Sequence, residues 1–76
     1  MKTRTVQVQD GYWRIHAEKS DLGVEEQSEL VDYFNEIRFP YRMIAGRVCI
    51  PESVPWEDIY ERLQYFYDGR AEVYPF

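Results

Sequence analysis

Polar and hydrophobic residues alternate over residues 5–17, with one interruption at Asp10-Gly11. Alternation with a period of two is typical of a β-strand that buries one face. Asp-Gly is a favoured two-residue hairpin turn, because both positions tolerate positive φ. The pattern therefore predicts a β-hairpin that folds about this turn. Its buried face pairs Val6 with Ile15 and Val8 with Trp13.

The period becomes helical from Val24 to Ile37. Residues 20–23 form a break before this helix and supply capping residues. Pro40 ends the helix, since the residue before a proline is pushed out of the α region. The apolar face of the predicted helix consists of Leu30, Phe34 and Ile37, at i, i+4 and i+7.

Alternation returns over residues 41–50, with Ala45-Gly46 at the interruption. A turn there has weaker chemistry than Asp-Gly, because alanine resists positive φ. The segment is nevertheless predicted as a second hairpin. One of its faces carries Tyr41, Met43, Val48 and Ile50, and the other carries Arg42, Ile44, Arg47 and Cys49.

A second helix is predicted to run to about Tyr67. Ser53 offers a capping hydroxyl, and Pro55 is favoured in a first helical turn. Asp68-Gly69 ends the helix, because glycine adopts the left-handed conformation of a helix C-terminus. The apolar face of this helix consists of Trp56, Ile59, Leu63 and Phe66.

The predicted order of elements is β-β-α-β-β-α-β, closed by a short strand over residues 70–74 with Ala71 and Val73 inward. We expect a single α+β domain over residues 1–76, in which an antiparallel sheet packs two helices on one face. A chain of 76 residues with 45% hydrophobic and 17% aromatic residues has enough apolar surface to fold.

Charge narrows the range of partners. The chain has 9 Lys and Arg against 14 Asp and Glu, a net charge of −5 at pH 7. Such a balance disfavours direct contact with nucleic acid and with an anionic membrane surface, since both depend on cationic side chains. It favours a protein partner with a basic surface, because complementary fields speed association and select partners.

The cysteine and histidine content of the chain bears on its cellular location and on catalysis. Cys49 has no second cysteine with which to pair, and the N-terminus lacks the apolar stretch of a secretory signal. A cytoplasmic location is expected. His16 is predicted on a polar strand face, where Arg14 would lower its pKa and no carboxylate is placed to orient it. Cys49 would act as a nucleophile only if the fold brought His16 to it.

No metal-ligand spacing and no glycine-rich phosphate loop is present in the sequence. We therefore expect no catalytic residues, no metal site and no cofactor, and a protein that is not an enzyme.

Acidic residues are concentrated in the segment of the first helix. Lys and Arg are absent from residues 20–37, where six acids fall: Asp21, Glu25, Glu26, Glu29, Asp32 and Glu36. Four of them, here called the acidic stripe, follow spacings of four, three and four along the helix: Glu25, Glu29, Asp32 and Glu36. Successive carboxylates one turn apart lie roughly 5–6 Å from each other. That spacing is comparable with the phosphates of a nucleic-acid strand.

Two interpretations of the acidic stripe remain open. It is either a solvated face that keeps a small protein soluble, or a partner-binding surface flanked by Tyr33. Cations are grouped in the middle of the chain, at Arg38, Arg42 and Arg47, which suggests a bipolar molecule. Tyrosines on or beside polar faces would add interface contacts; they are Tyr12, Tyr33, Tyr65 and Tyr74.

The expected function is that of a non-enzymatic acidic protein that covers a basic, nucleic-acid-binding surface of a partner and blocks it. In composition the chain resembles the small acidic inhibitors that phages direct against host machinery, including anti-CRISPR proteins and other nucleic-acid mimics. An alternative is a structural or regulatory subunit with an apolar, aromatic interface, or a homodimer formed through the strand edge at residues 70–76. A small-ligand sensor is a third class, for which the sequence shows no pocket-forming signature.

Overall fold

A computed structural model describes residues 2–75 of the chain. The predicted order of elements is confirmed. The elements are β1 (Lys2–Gln9), β2 (Tyr12–Ala17), α1 (Val24–Ile37), β3 (Arg42–Ile44), β4 (Arg47–Pro51), α2 (Trp56–Tyr67) and β5 (Ala71–Pro75). Residue 76, which the homodimer alternative includes, lies outside the described residues.

The five strands form one mixed sheet in the order β3-β4-β2-β1-β5. The first hairpin has the predicted register, with Val6 opposite Ile15 and Val8 opposite Trp13. The prediction of a fully antiparallel sheet is wrong, because β5 pairs with β1 in parallel. The cause is the connection through α2: it carries the chain from β4, which runs in the same direction as β1, across to the far edge of the sheet.

The second hairpin also has the predicted register, with Met43 opposite Val48 and Arg42 opposite Cys49. Its turn has Ala45 at φ 52° and Gly46 at φ 77°. The turn of the first hairpin also has positive φ at both positions, 55° at Asp10 and 80° at Gly11. Alanine therefore occupies a left-handed position that its Cβ disfavours.

We expect the substitution Ala45→Asn to stabilise the protein by about 1 kcal/mol, because asparagine adopts the left-handed conformation at lower cost than alanine. In a domain of this size that gain raises the thermal midpoint by roughly 4–8 °C. Differential scanning calorimetry measures the shift. Gly46→Ala is the matched control and should lower the midpoint, since it adds a Cβ at positive φ. If the midpoint of Ala45→Asn equals that of the wild type, the left-handed conformation of Ala45 does not destabilise the protein.

The helices have the predicted bounds, and α2 ends at Asp68-Gly69 as predicted, but the N-terminal caps differ from prediction. Gly23 and Pro55 occupy the N-cap positions, and neither helix end has a side-chain capping bond. Ser53 is therefore not the cap of α2, and the first helical hydrogen bond of α2 runs from the Ile59 amide to the Pro55 carbonyl oxygen at 3.3 Å. The C-termini are closed by residues in the left-handed conformation, Arg38 after α1 and Asp68 after α2.

One face of the sheet packs against both helices. The core residues of this face and of the helices form a single cluster: Val6, Ile15, Leu22, Leu30, Phe34, Val48, Ile50, Ile59, Leu63, Tyr67, Ala71 and Val73. Val8 lies on the same face but is 45% exposed, and Tyr67 is a core residue that the predicted helix face did not include. The opposite face, here called the open sheet face, is not covered by a helix of residues 2–75, since both helices are packed in this cluster.

Candidate partner-binding surface

The acidic stripe lies on the solvent-facing side of α1. All four of its residues are exposed. The ion pairs and side-chain hydrogen bonds found within residues 2–75 include none of them. The stripe lies opposite Leu30 and Phe34, which face the core. It is therefore a row of carboxylates that faces solvent.

The other two acids of the segment have structural partners. Asp21 forms an ion pair with Arg47, with 2.6 Å between Oδ2 and Nη2. Glu26 forms an ion pair with Arg4 at 2.6 Å. The six acids that the sequence groups together thus divide into two that form ion pairs with arginines and four that form none within residues 2–75.

Tyr33, predicted beside the stripe, is half-buried. Its ring packs 5.5 Å from that of Phe66 in α2 and 6.0 Å from that of Phe34. One helical turn after Glu29, it lies at the margin of the stripe. Tyr33 therefore packs between the two helices and lies beside the acidic stripe.

Glu26 belongs to a network that the sequence analysis missed. Its carboxylate accepts two bonds from the Arg4 guanidinium, from Nε at 2.7 Å and Nη2 at 2.6 Å, and a third from the Tyr67 hydroxyl at 2.6 Å. The Arg4 guanidinium also lies 5.8 Å from the centre of the Tyr67 ring. Alternation along β1 could have predicted that Arg4 faces the core, because Arg4 is two residues before the core residue Val6 and lies on the same side of the strand.

The charges of this network set its pKa values. Hydrogen bonding from Arg4 holds the pKa of the Glu26 carboxyl below its ordinary value, against the opposing effect of burial. The same pairing raises the pKa of Arg4. Burial, with the bond to Glu26, raises the pKa of the Tyr67 hydroxyl. The pair is therefore ionised and Tyr67 is protonated at neutral pH.

His16 has a carboxylate partner, contrary to prediction. Its Nδ1 lies 3.4 Å from Asp21 Oδ1, and the two residues form an isolated β-bridge. The pKa of His16 is lowered, as predicted, but burial is the largest cause and the charge of Arg14 the second. His16 is therefore neutral at pH 7 and half-buried, rather than a solvated surface histidine.

Cys49 lies on the open sheet face, where β2 places Arg14 opposite it. It is buried, and burial raises the pKa of its thiol. Its Sγ donates to the Arg47 carbonyl oxygen at 3.7 Å. A thiol with a raised pKa is a poor nucleophile at neutral pH.

Gln27 is the second residue of α1 that the sequence analysis missed. β2 and β4 pair only over residues 12–14 and 49–51. Beyond this short ladder, the Val48 amide donates to Gln27 Oε1 at 3.1 Å, and Gln27 Nε2 donates to the Gly46 carbonyl oxygen at 2.6 Å. One amide side chain thus fixes the second hairpin to α1.

Within residues 2–75, no group of three or more His, Cys, Asp or Glu side chains is arranged to hold a metal ion. Neither helix combines the length and apolar character that crossing a membrane requires. The fold defines a small α+β domain with a five-stranded mixed sheet and two helices. Comparisons of this chain with protein-family models, with curated proteins and with solved structures gave no match.

Proposed function

We propose that this chain is a non-enzymatic binding protein that places its acidic stripe on a basic, nucleic-acid-binding surface of a partner protein and blocks that surface. The observation that carries the proposal is the row of four exposed carboxylates on α1, none of which takes part in the ion pairs found within residues 2–75. A phage-type inhibitor of a nucleic-acid-handling defence complex, similar in kind to anti-CRISPR proteins, is the specific form of this function that the composition favours.

Helix energetics support a role for the stripe beyond stability. Acids near the N-terminus of a helix are favoured by the helix dipole, which accounts for Glu25. Glu36 lies in the last turn of α1, where the dipole disfavours an acid and where the helix has no basic residue. Like charges one turn apart cost a further 0.2–0.5 kcal/mol or so per pair. Stability therefore does not explain why the stripe extends along the whole helix.

The test reverses two charges in the middle of the stripe. We expect the double variant Glu29→Lys, Asp32→Lys to fold like the wild type and to recover at least tenfold less partner, about 1.4 kcal/mol of binding, in a tagged pull-down from host lysate at low salt. Quantitative mass spectrometry of the retained proteins measures the loss. Wild-type recovery should also fall steeply at high salt, because exposed charges are screened.

A matched control separates the stripe from net charge. Glu57 and Glu61 are exposed acids one turn apart on α2, so the double variant Glu57→Lys, Glu61→Lys changes the net charge by the same amount. It should retain the partner. Equal recovery by both double variants and the wild type would refute the proposal, as would equal loss by both.

Exposed tyrosines favour a second candidate, a subunit with an aromatic interface. Tyr65 is 77% exposed, and Tyr60 and Tyr74 are nearly half exposed. Tyr60 and Tyr65 line a shallow groove on α2, and Tyr74 belongs to the edge strand β5. A partner bound at these tyrosines would remain bound at high salt and would be lost on Tyr65→Ala. A partner bound at the acidic stripe would be released at high salt and would be retained by Tyr65→Ala.

A further inference from the structure

The outer edge of β5 carries backbone groups that no strand of residues 2–75 pairs with. β5 is the last strand of the sheet, beside β1. The Lys2 amide donates to the Arg70 carbonyl oxygen at 3.4 Å, and Lys2 lies opposite Ala71. Since the polar groups of successive strand residues point to opposite sides, Glu72 and Tyr74 direct theirs towards β1. The residues that direct theirs outward are Ala71, Val73 and Pro75.

A second copy of the chain can pair with this edge in an antiparallel ladder about a two-fold axis. The axis passes through one residue of β5, which then lies opposite itself. An axis at Glu72 would place two carboxylates directly opposite each other, which is destabilising. An axis at Tyr74 would leave only the Val73 amides with an acceptor, because Pro75 has no amide to return.

An axis at Val73 satisfies the edge best. The two Val73 residues exchange amide-to-carbonyl bonds, and each Ala71 amide donates to the Pro75 carbonyl oxygen of the other copy. Glu72 then lies opposite Tyr74 of the other copy in a non-hydrogen-bonded pair, where side chains approach most closely. These two side chains are complementary, since the Tyr74 hydroxyl donates to the Glu72 carboxylate within one chain.

One flank of α2 borders the same edge. α2 leads directly into β5 and packs with it in the core cluster. Phe66 contacts Tyr33, so its flank of α2 faces α1. Tyr60 and Gln64 lie on the opposite flank, towards the outer edge of β5. Tyr60 is exposed and Gln64 is half-buried. The two copies of this flank would meet across the two-fold axis and add side-chain contacts to the ladder.

We propose that the chain forms a homodimer in which two copies of β5 pair antiparallel about a two-fold axis at Val73, so that the two sheets become continuous. The occupant of the edge is a second copy because this register is self-complementary in both hydrogen bonds and side chains. β5 has no lysine, a residue that often blocks such an edge. The dimer does not depend on the proposed function of the acidic stripe, which lies on α1.

Sedimentation equilibrium of the full chain tests the assembly. We expect the mass to rise from 9.2 kDa in dilute solution to twice that value at about 1 mM protein. The dissociation constant should be on the order of 10–100 µM, since a single strand edge is a small interface. High salt should not weaken the dimer, because each copy has a net charge of −5 and salt screens the repulsion between them. A 9.2 kDa mass at about 1 mM would overturn the proposal.

Hydrogen exchange by NMR tests the edge itself. The amides of Ala71 and Val73 should exchange rapidly in dilute solution and become protected as the dimer forms. The amides of Glu72 and Tyr74, which are bonded to β1, should be protected at both concentrations and serve as the internal control. A dimer in which the Val73 amide stays unprotected would show that the interface lies elsewhere.

Two substitutions test the register. Tyr74→Glu places a second carboxylate opposite Glu72 of the other copy and should weaken the dimer about tenfold. Adding Glu72→Lys to that variant creates an opposite-charge pair at the same place and should restore the dimer. Tyr65→Glu makes the same change at an exposed residue of α2 and should have no effect. Unchanged association in Tyr74→Glu, or no recovery in the double variant, would refute this register. Should Tyr74→Glu fail to fold, hydrogen exchange in the wild type decides.

Discussion

Replacing Glu26 with Gln should destabilise the protein by about 3 kcal/mol at pH 7, because removing one partner of a buried ion pair leaves the other charge uncompensated. Arg4, the remaining partner, is only 8% exposed. The total stability expected of a domain of 76 residues is about 4–11 kcal/mol. The substitution therefore removes a large part of it, and urea denaturation followed by circular dichroism measures the loss.

The pH dependence of stability is an independent test of the Glu26 prediction. The pKa of Glu26 is lower in the folded protein than in the unfolded chain. The ionised Glu26 side chain therefore stabilises the fold fully at a pH above its unfolded pKa, and this stabilisation is lost as the pH falls through the folded pKa. The difference between the wild type and Glu26→Gln should therefore narrow as the pH falls below about 4.5, the pKa of an unperturbed Glu.

Glu29→Gln is the control for Glu26→Gln, since it makes the same chemical change on the exposed side of the same helix. Its effect should lie within about 0.5 kcal/mol of zero. A Glu26→Gln variant as stable as this control, or a stability difference from the wild type that persists unchanged in acid, would show that the Arg4–Glu26 pair does not stabilise the fold.

Replacing Gln27 with Ala should cost about 2 kcal/mol of stability, the second-largest effect we expect. The reason is that the substitution leaves the Val48 amide without an acceptor, and a buried unsatisfied donor costs about 1–3 kcal/mol. Val48 is 1% exposed, so water cannot readily replace the lost bond. Alanine returns only a few tenths of a kcal/mol through its helix propensity.

Hydrogen exchange localises the effect of Gln27→Ala. The Val48 amide should exchange faster in the variant by more than the loss of global stability explains, because its own hydrogen bond is removed. Ser28→Ala changes the next, exposed residue of α1 and should leave both stability and Val48 exchange nearly unchanged. Protection of Val48 that is unaltered in Gln27→Ala would contradict the role given to this side chain.

The parts of the fold that follow from local chemistry were predictable. Asp10-Gly11 determines the first hairpin, and the periodicity from Val24 to Ile37 determines α1, because turn preference and amphipathic spacing act over neighbouring residues. The direction of β5 was not predictable in the same way. It depends on which sheet edge α2 leads to, and no local pattern within residues 71–75 records that.

In the candidate partner-binding surface, too, the features set by neighbouring residues were predictable and the contacts between distant residues were not. Exposure of the acidic stripe follows from its helical spacing opposite Phe34. The pairing of Asp21 and Glu26 does not, because their partners Arg47 and Arg4 lie more than twenty residues away in the sequence. Helical spacing separated the four acids of the acidic stripe from Asp21 and Glu26, but only the tertiary structure shows that Asp21 and Glu26 form ion pairs.

The parallel pairing of β1 and β5 also determines how the molecule bears mechanical load. Lys2 opens β1 and Pro75 closes β5, and the two strands run side by side in the same direction. Tension between residues 2 and 75 therefore pulls the strands past each other along their length. The hydrogen bonds of this ladder are loaded together, in shear, rather than opened one after another as they would be in a terminal antiparallel pair.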